Sequence, residues 1–191
     1  MKRIFTMPGE RQPVLETERL TLRAFRHEDA KTVCRLAGDW EVARMMAPVP
    51  YPYPLAAAGD WIRSHGQSAA DGIDLTFAIW LKDVLIGSIN IENRGDDTVG
   101  IGYWIGKDYW SKGYASEAVT KILRYAFGEL SINLLLTDLF ADNLASARVL
   151  EKAGFTFSCE KSGWSEARQE TCPKREYRLT QERWQAQKGL L

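Results

Sequence analysis

Histidine is almost missing from this chain of 191 residues: His27 and His65 are the only two, and neither has a ligand partner at metal spacing. No metal centre and no Ser-His-Asp triad is therefore expected. The three cysteines, Cys34, Cys159 and Cys172, are odd in number and far apart, with no CxxC pair, which argues against a disulfide framework or a redox motif. Cys34 falls in an apolar helical pattern and reads as a core residue rather than a nucleophile. An excess of one charge is missing too, because 25 Lys and Arg balance 25 Asp and Glu. No global field would draw in nucleic acid or an anionic membrane. No apolar run reaches the length of a membrane span, and residues 1–12 lack the apolar stretch of a signal peptide, so the expected compartment is cytoplasmic. Nucleotide signatures are also absent. There is no GxxxxGK[ST], and Gly100, Gly102 and Gly106 give GxGxxxG inside a strand rather than GxGxxG after one.

What is present reads as one mixed α/β (α+β) domain over residues 1–191, with residues 1–12 a loosely held extension. Residues 20–23 alternate as a strand, and His27-Glu28-Asp29 opens a helix with Val33, Cys34 and Leu36 on its buried side. Four prolines in residues 47–54 forbid a regular helix or a central strand there. Tyr51 and Tyr53 in this stiff loop either floor a substrate site or pack on the surface. A helix at residues 56–69 is anchored by Trp61 and Ile62. Residues 75–81 and 84–91 flank Lys82-Asp83 at hairpin spacing, and residues 99–105 add a third strand after a turn at residues 94–97.

The period then changes. Val119, Ile122, Leu123, Ala126 and Phe127 form the stripe of an amphipathic helix running from Ala115 to a stop at Gly128. Residues 134–140 read as a buried strand, parallel to its predecessor because a helix connects them. Asp142-Asn143 starts a helix over residues 144–152, Gly154 ends it, Phe155 begins a strand, and the last strand covers residues 175–179.

The segment Tyr109-Trp110-Ser111-Lys112-Gly113-Tyr114-Ala115-Ser116-Glu117 joins a strand to the amphipathic helix. Gly113 can take a backbone conformation closed to other residues, and a helix start offers unpaired N–H groups to an anion such as a pyrophosphate. Physics alone leaves a purely steric role for Gly113 open.

Trp110-Ser111-Lys112-Gly113-Tyr114-Ala115 resembles motif A of the GNAT acetyltransferases, Q/R-x-x-G-x-G/A, with Trp in place of the usual Gln or Arg. Ile101-Gly102-Tyr103-Trp104-Ile105, the opening from Leu15 to Arg23, and Asn143 through Phe155 resemble the RimJ/RimL-type branch, the ribosomal-protein N-terminal acetyltransferases and their relatives. The resemblance spans residues 15–179. It implies a mostly antiparallel, twisted sheet of about six to seven strands, flanked by helices, with a central parallel pair splayed apart. It implies acetyl-CoA as co-substrate, bound by the loop from Trp110 and Ser111 onward, with the pyrophosphate held by the N–H groups of Lys112, Gly113, Tyr114, Ala115 and Ser116. The pantetheine arm would lie beside Trp104, Ile105 and Asn143, and the Ile105 N–H would bind the thioester oxygen.

The chain departs from the family at the proton-handling positions. The helix Tyr that protonates the leaving thiolate in many members is Leu150 here. The branch instead assigns that role to a Ser at the position of Ser146. Ser146 either assists the sulfur or simply packs, and Asn143 also suits a helix N-cap. Where relatives carry an acid before Ile-Gly-Tyr-Trp, this chain has Gly100. Glu92 and Asp138 are the nearest carboxylates and read as surface charges, so the base is unassigned.

The expected activity is N-acetylation of a primary amine, on a protein N-terminus or a small molecule, by direct attack in a ternary complex. A non-catalytic acyl-CoA-binding module is the alternative. The sequence says nothing of oligomeric state, and a homodimer stays open.

Overall fold

A computed structural model of the chain describes Phe5, residues 12–95 and residues 98–188. In chain order, β1 (Leu15–Glu16) and β2 (Leu20–Arg23) lead into α1 (Ala30–Ala37), the four-residue α2 (Trp40–Ala43) and α3 (Leu55–Ala70). There follow β3 (Leu75–Leu81), β4 (Val84–Gly95), β5 (Thr98–Ile105), α4 (Tyr114–Gly128) and β6 (Leu134–Phe140). α5 (Leu144–Lys152), β7 (Thr156–Ser165), β8 (Glu170–Thr180) and α6 (Gln181–Lys188) complete the chain.

Among the described residues one sheet of eight strands forms, in the order β1-β2-β3-β4-β5-β6-β8-β7. The expected six to seven strands are thus eight. β1 is only two residues long, and β7 is an edge strand too polar to show an alternating apolar face. Every pairing is antiparallel except β5 with β6. That parallel contact consists of one register pair, Gly100 with Leu136, where the neighbouring antiparallel ladders run for seven or more residues. β5 and β6 therefore touch at one end and separate toward Ile105 and Phe140.

The continuous apolar run of β3 follows from burial on both faces. Phe77 and Ile79 pack with α4 in the larger core, and Ala78 packs with α1 and α3 in a smaller one. α4 turns Val119, Ile122, Leu123 and Ala126 inward, as its periodicity predicts. Each of the Val, Ile and Leu side chains contributes about 1.5–3 kcal/mol when fully buried. Cys34 is half-buried, and its Sγ–H lies 3.1 Å from the carbonyl oxygen of Tyr53.

Most of residues 1–12, and the tip of the expected turn at residues 94–97, lie outside the described residues. Phe5 is buried in the larger core, and the Gln12 amide donates to Thr76 O at 2.8 Å.

Candidate active site

The turn from β5 into α4 is built by backbone geometry. Ser111 has φ 61° and Gly113 φ 81°, two left-handed residues that reverse the chain just before Tyr114. The first helical bond runs from Glu117 N–H to Gly113 O at 3.1 Å, so the N–H groups of Tyr114, Ala115 and Ser116 precede the helical ladder. The Trp110 indole N–H donates to Ile105 O at 2.6 Å and fixes the loop to the end of β5.

A brace from the N-terminal strands holds this turn. The Arg19 N–H and guanidinium donate to Glu117 at 2.9 and 2.6 Å, and Thr17 donates to the same carboxylate at 2.5 Å. Arg19 also donates to Lys112 O at 3.0 Å and lies over the Tyr114 ring. Burial alone would raise the Glu117 pKa. The hydrogen bonds from Thr17 and Arg19, and the Arg19 charge, outweigh it and hold the carboxyl below its usual range.

The turn faces a cavity of about 640 Å³ whose opposite wall is α5. Trp104, Ile105, Trp110, Ser111, Gly113, Tyr114, Ala115, Ser116, Asn143 and Ser146 all line it, so ten of the expected positions come together. Lys112 does not. Its ammonium folds back onto Asp108 O at 2.8 Å.

The orientation of Ile105 follows from strand alternation. Gly106 N–H donates to Ile86 O at 2.8 Å on the β4 side, so the Ile105 N–H and C=O face the opposite side, where β6 has parted from β5. Thr137 Oγ1 donates to Ile101 O at 2.8 Å and marks the point where the strands still meet.

Asn143 caps α5 through Oδ1, which accepts the Ser146 N–H at 3.1 Å. Ser146 Oγ lies 2.6 Å from the Tyr103 hydroxyl, which reaches it across the gap from β5. The phenol is deeply buried, and this raises its pKa despite the bond to Ser146.

A second cavity, of about 480 Å³, opens on the other side of these residues. Tyr103, Trp104, Asn143 and Ser146 border both. Its walls include Met45, Pro48, Tyr53 and Trp61, so the Pro/Tyr loop divides its two tyrosines. Tyr53 faces the cavity, while Tyr51 is half-exposed and packs on Trp40 with ring centroids 5.1 Å apart. The floor is polar. Asp138 is paired with Arg94 and with Lys174, the latter at 2.6 Å, and is thereby a structural charge. Burial and the neighbouring Arg94 lower the Lys174 pKa. Glu92 has the Asn90 amide as a hydrogen-bond donor at 3.0 Å. Its carboxylate lies over Gly102, where an added Cβ would sit 2.7 Å from Asn90 Oδ1 and 3.7 Å from Glu92 Oε2.

Arg168, from the turn between β7 and β8, packs over Phe140 of this second cavity and ties residue 44 to Asp142, which lines the first. Its guanidinium donates to Arg44 O at 2.7 Å and to Asp142 at 3.0 Å, and Arg44 also pairs with Asp142 at 3.1 Å. Sequence reading misses Arg168, Lys174 and Tyr103 as site residues. For Tyr103 a signal exists, since it stands two residues from Ile105 on one strand face. For Arg168 there is none.

The chain matches the family described as acetyltransferase (GNAT) domain over residues 19–156. It belongs to the GNAT acetyltransferases. Over 145 residues this GNAT chain is 34% identical to the uncharacterized N-acetyltransferase p20 of Bacillus licheniformis, covering 74% of its own length and 81% of the relative's. Its fold is similar to that of Mycobacterium smegmatis RimJ, solved in complex with CoA-disulfide. The TM-score is 0.80 at 19% identity, over 93% of this chain and 91% of that one. RimL, the ribosomal L7/L12 alpha-N-protein acetyltransferase solved with coenzyme A, gives a TM-score of 0.77 at 14% identity, over 88% and 98%. Among the described residues no helix of this GNAT domain is long and apolar enough to cross a membrane, and no group of three or more His, Cys, Asp or Glu side chains could hold a metal ion.

Proposed function

We propose that this GNAT chain transfers an acetyl group from acetyl-CoA to a primary amine by direct attack within a ternary complex. The observation that carries this reading is the meeting of two cavities at Tyr103, Trp104, Asn143 and Ser146. A thioester lying along one cavity would present its carbonyl to an amine arriving through the other, with no need for a covalent enzyme intermediate.

On the cofactor side, the N–H groups of Tyr114, Ala115 and Ser116 receive the pyrophosphate. The pantetheine arm follows the gap between β5 and β6 past Asn143, and the Ile105 N–H meets the oxygen that gains charge on attack. Ser146 stands at the sulfur. On the acceptor side, Glu92 is the cavity carboxylate that Arg94 and Lys174 do not bind directly, though its charge acts on Lys174, and it takes the amine proton, directly or through water. The apolar walls suit the flank of an amine on a protein N-terminus or a small molecule. The functional unit is one domain acting in the cytoplasm.

The test is a thermal-shift series with acyl-CoAs, followed by mass detection of products from a panel of free amines and N-terminal peptides. Acetyl-CoA at about 100 times its Kd should add about 2.7 kcal/mol of stability, and at least one amine should gain an acetyl group. A shift with coenzyme A but no acetylated amine would move the reading to a non-catalytic acyl-CoA-binding module. No shift with any acyl-CoA would overturn it.

A further inference from the structure

The Tyr that the family resemblance would place on α5 is Leu150, yet a phenol still reaches the same helix from the opposite wall. Tyr103 Oη lies 2.6 Å from Ser146 Oγ and 3.2 Å from Ser146 O. The phenol has one proton for two acceptors. If it goes to the carbonyl, the Ser146 proton is drawn to Tyr103 and away from the slot. If it goes to Ser146 Oγ, the serine proton is released to point elsewhere. The Ser146 carbonyl lies inside α5, where the N–H of residue 150 is its ordinary helical partner, so it does not need the phenol. A thiolate forming in the slot favours the second arrangement, because a hydrogen bond to an anion is roughly twice as strong as one between neutral groups.

We propose that Tyr103 is a positioning residue that turns the Ser146 hydroxyl proton toward the sulfur leaving the acetyl group. This rests on the acetyl-transfer reading above. In the step concerned the amine nitrogen has bonded to the carbonyl carbon, and as the carbon–oxygen double bond re-forms the C–S bond breaks and its electron pair goes to sulfur. The thiolate accepts a hydrogen bond from Ser146 Oγ–H, which in turn accepts from Tyr103 Oη–H. The amine proton leaves through the acceptor side, and the thiolate is protonated from solvent after release. Neither hydroxyl need change its own protonation state, which suits a phenol held neutral by burial.

The Asn143 cap reinforces this arrangement by fixing the Ser146 backbone at 3.1 Å. Both wall residues therefore have their backbones held by regular structure, and only the hydroxyl rotor of Ser146 is left to be set. That is the role the phenol fills.

The experiment compares the parent with Tyr103→Phe, Ser146→Ala and the double variant, after circular dichroism shows each folded. With an amine found by the product screen, Tyr103→Phe should lower kcat about ten-fold and Ser146→Ala at least as far, each with little change in KM for acetyl-CoA. The double variant should be no slower than Ser146→Ala, because Tyr103 acts only through Ser146. A second readout needs no turnover. The thiol of bound coenzyme A, titrated by its ultraviolet thiolate absorbance, should have a lower pKa on the parent than on either single variant. Multiplying kinetic losses, or a bound-thiol pKa unmoved by Tyr103→Phe, overturns the inference and leaves acetyl transfer standing. Failure to bind coenzyme A removes both. A parent that shows the thiol effect but acetylates no amine removes only the transfer reading.

Discussion

The two cavities that meet at Tyr103 and Ser146 are made in opposite ways. The one facing α4 is walled by one turn of the chain, residues 109–111 and 113–116, with α5 across from it. The other takes its lining from α1, residues 45–50, α3, β4, β5, β6 and β8, and it presents side chains rather than peptide groups. A backbone site is set by a few φ values and a helix start, so it tolerates change in most side chains around it. A side-chain site depends on residues more than a hundred positions apart, such as Val33 and Lys174. The first design suits a cofactor common to a whole family, and the second allows each member its own acceptor.

This contrast can be broken most severely at Gly113. Its φ of 81° is closed to a β-branched residue, and an added Cβ already meets Arg19 Nη2 at 3.4 Å. Strain of about 1–3 kcal/mol per such residue would force the loop to move. Gly113→Val should therefore lower coenzyme A affinity about ten-fold or more, as read by calorimetry on a variant shown to be folded. Unchanged affinity would mean the cofactor does not use this turn.

Arg168 offers the complementary cut. Removing its bonds to Arg44 O and Asp142 in Arg168→Ala should cost roughly 1.5–3 kcal/mol of unfolding free energy, the range for bonds to charged groups. The acceptor KM should rise more than the coenzyme A Kd, since Arg168 packs on Phe140 of the second cavity, while Asp142, which lines the first, keeps its pair with Arg44. A loss of coenzyme A affinity as large as the loss of acceptor binding would show that the two cavities are not separable.

The smallest effect is expected at Glu117, where the brace is partly exposed. Its folded pKa lies below the unfolded value, so its contribution is fully present above the unfolded carboxyl pKa. It is lost as pH falls through the lower, folded value. Glu117→Gln should lower stability by a constant amount from neutral pH upward and flatten the acid side of the curve, measured by urea unfolding across that range. A parallel curve on the acid side would mean the carboxylate is unpaired in solution.

The same division governs how much of the molecule is legible in its sequence. β2 and α5 have the bounds that their patterns predict, and α4 starts one residue early, at Tyr114 rather than Ala115. The Gly-containing turn is legible because its chemistry is local. β7 is legible only near its start, where Phe155 ends the preceding turn. Its Ser, Glu, Lys and Gly residues carry no apolar alternation, and its cross-strand contacts to β8, such as Lys161 with Glu176, need a partner the local pattern does not name. α6 shows almost no apolar face, and Trp184 packs on Phe127 with ring centroids 5.3 Å apart. The pairing of Asp138 with Arg94 and Lys174 depends on the β4-β5-β6-β8 order, which single-strand patterns do not specify. Glu92 and Asp138 are alike as strand carboxylates in the sequence, and only that order separates them.

The single rung between β5 and β6 has a further consequence. Beyond Gly100 the molecule carries a length of edge strand inside its own sheet, where no strand pairs with β5 on this side and the carbonyls of Ile101 and Ile105 take side-chain donors instead. Exposed edges are aggregation hazards because another strand can dock on them. Here β4 closes the far side of β5, and α4 and α5 stand over the opening. A folded partner with its own sheet cannot approach. A thin, extended guest with amide groups along its length can, and it would complete the pairing that β6 abandons. The fold thus sorts its visitors by thickness ahead of any contact with a side chain.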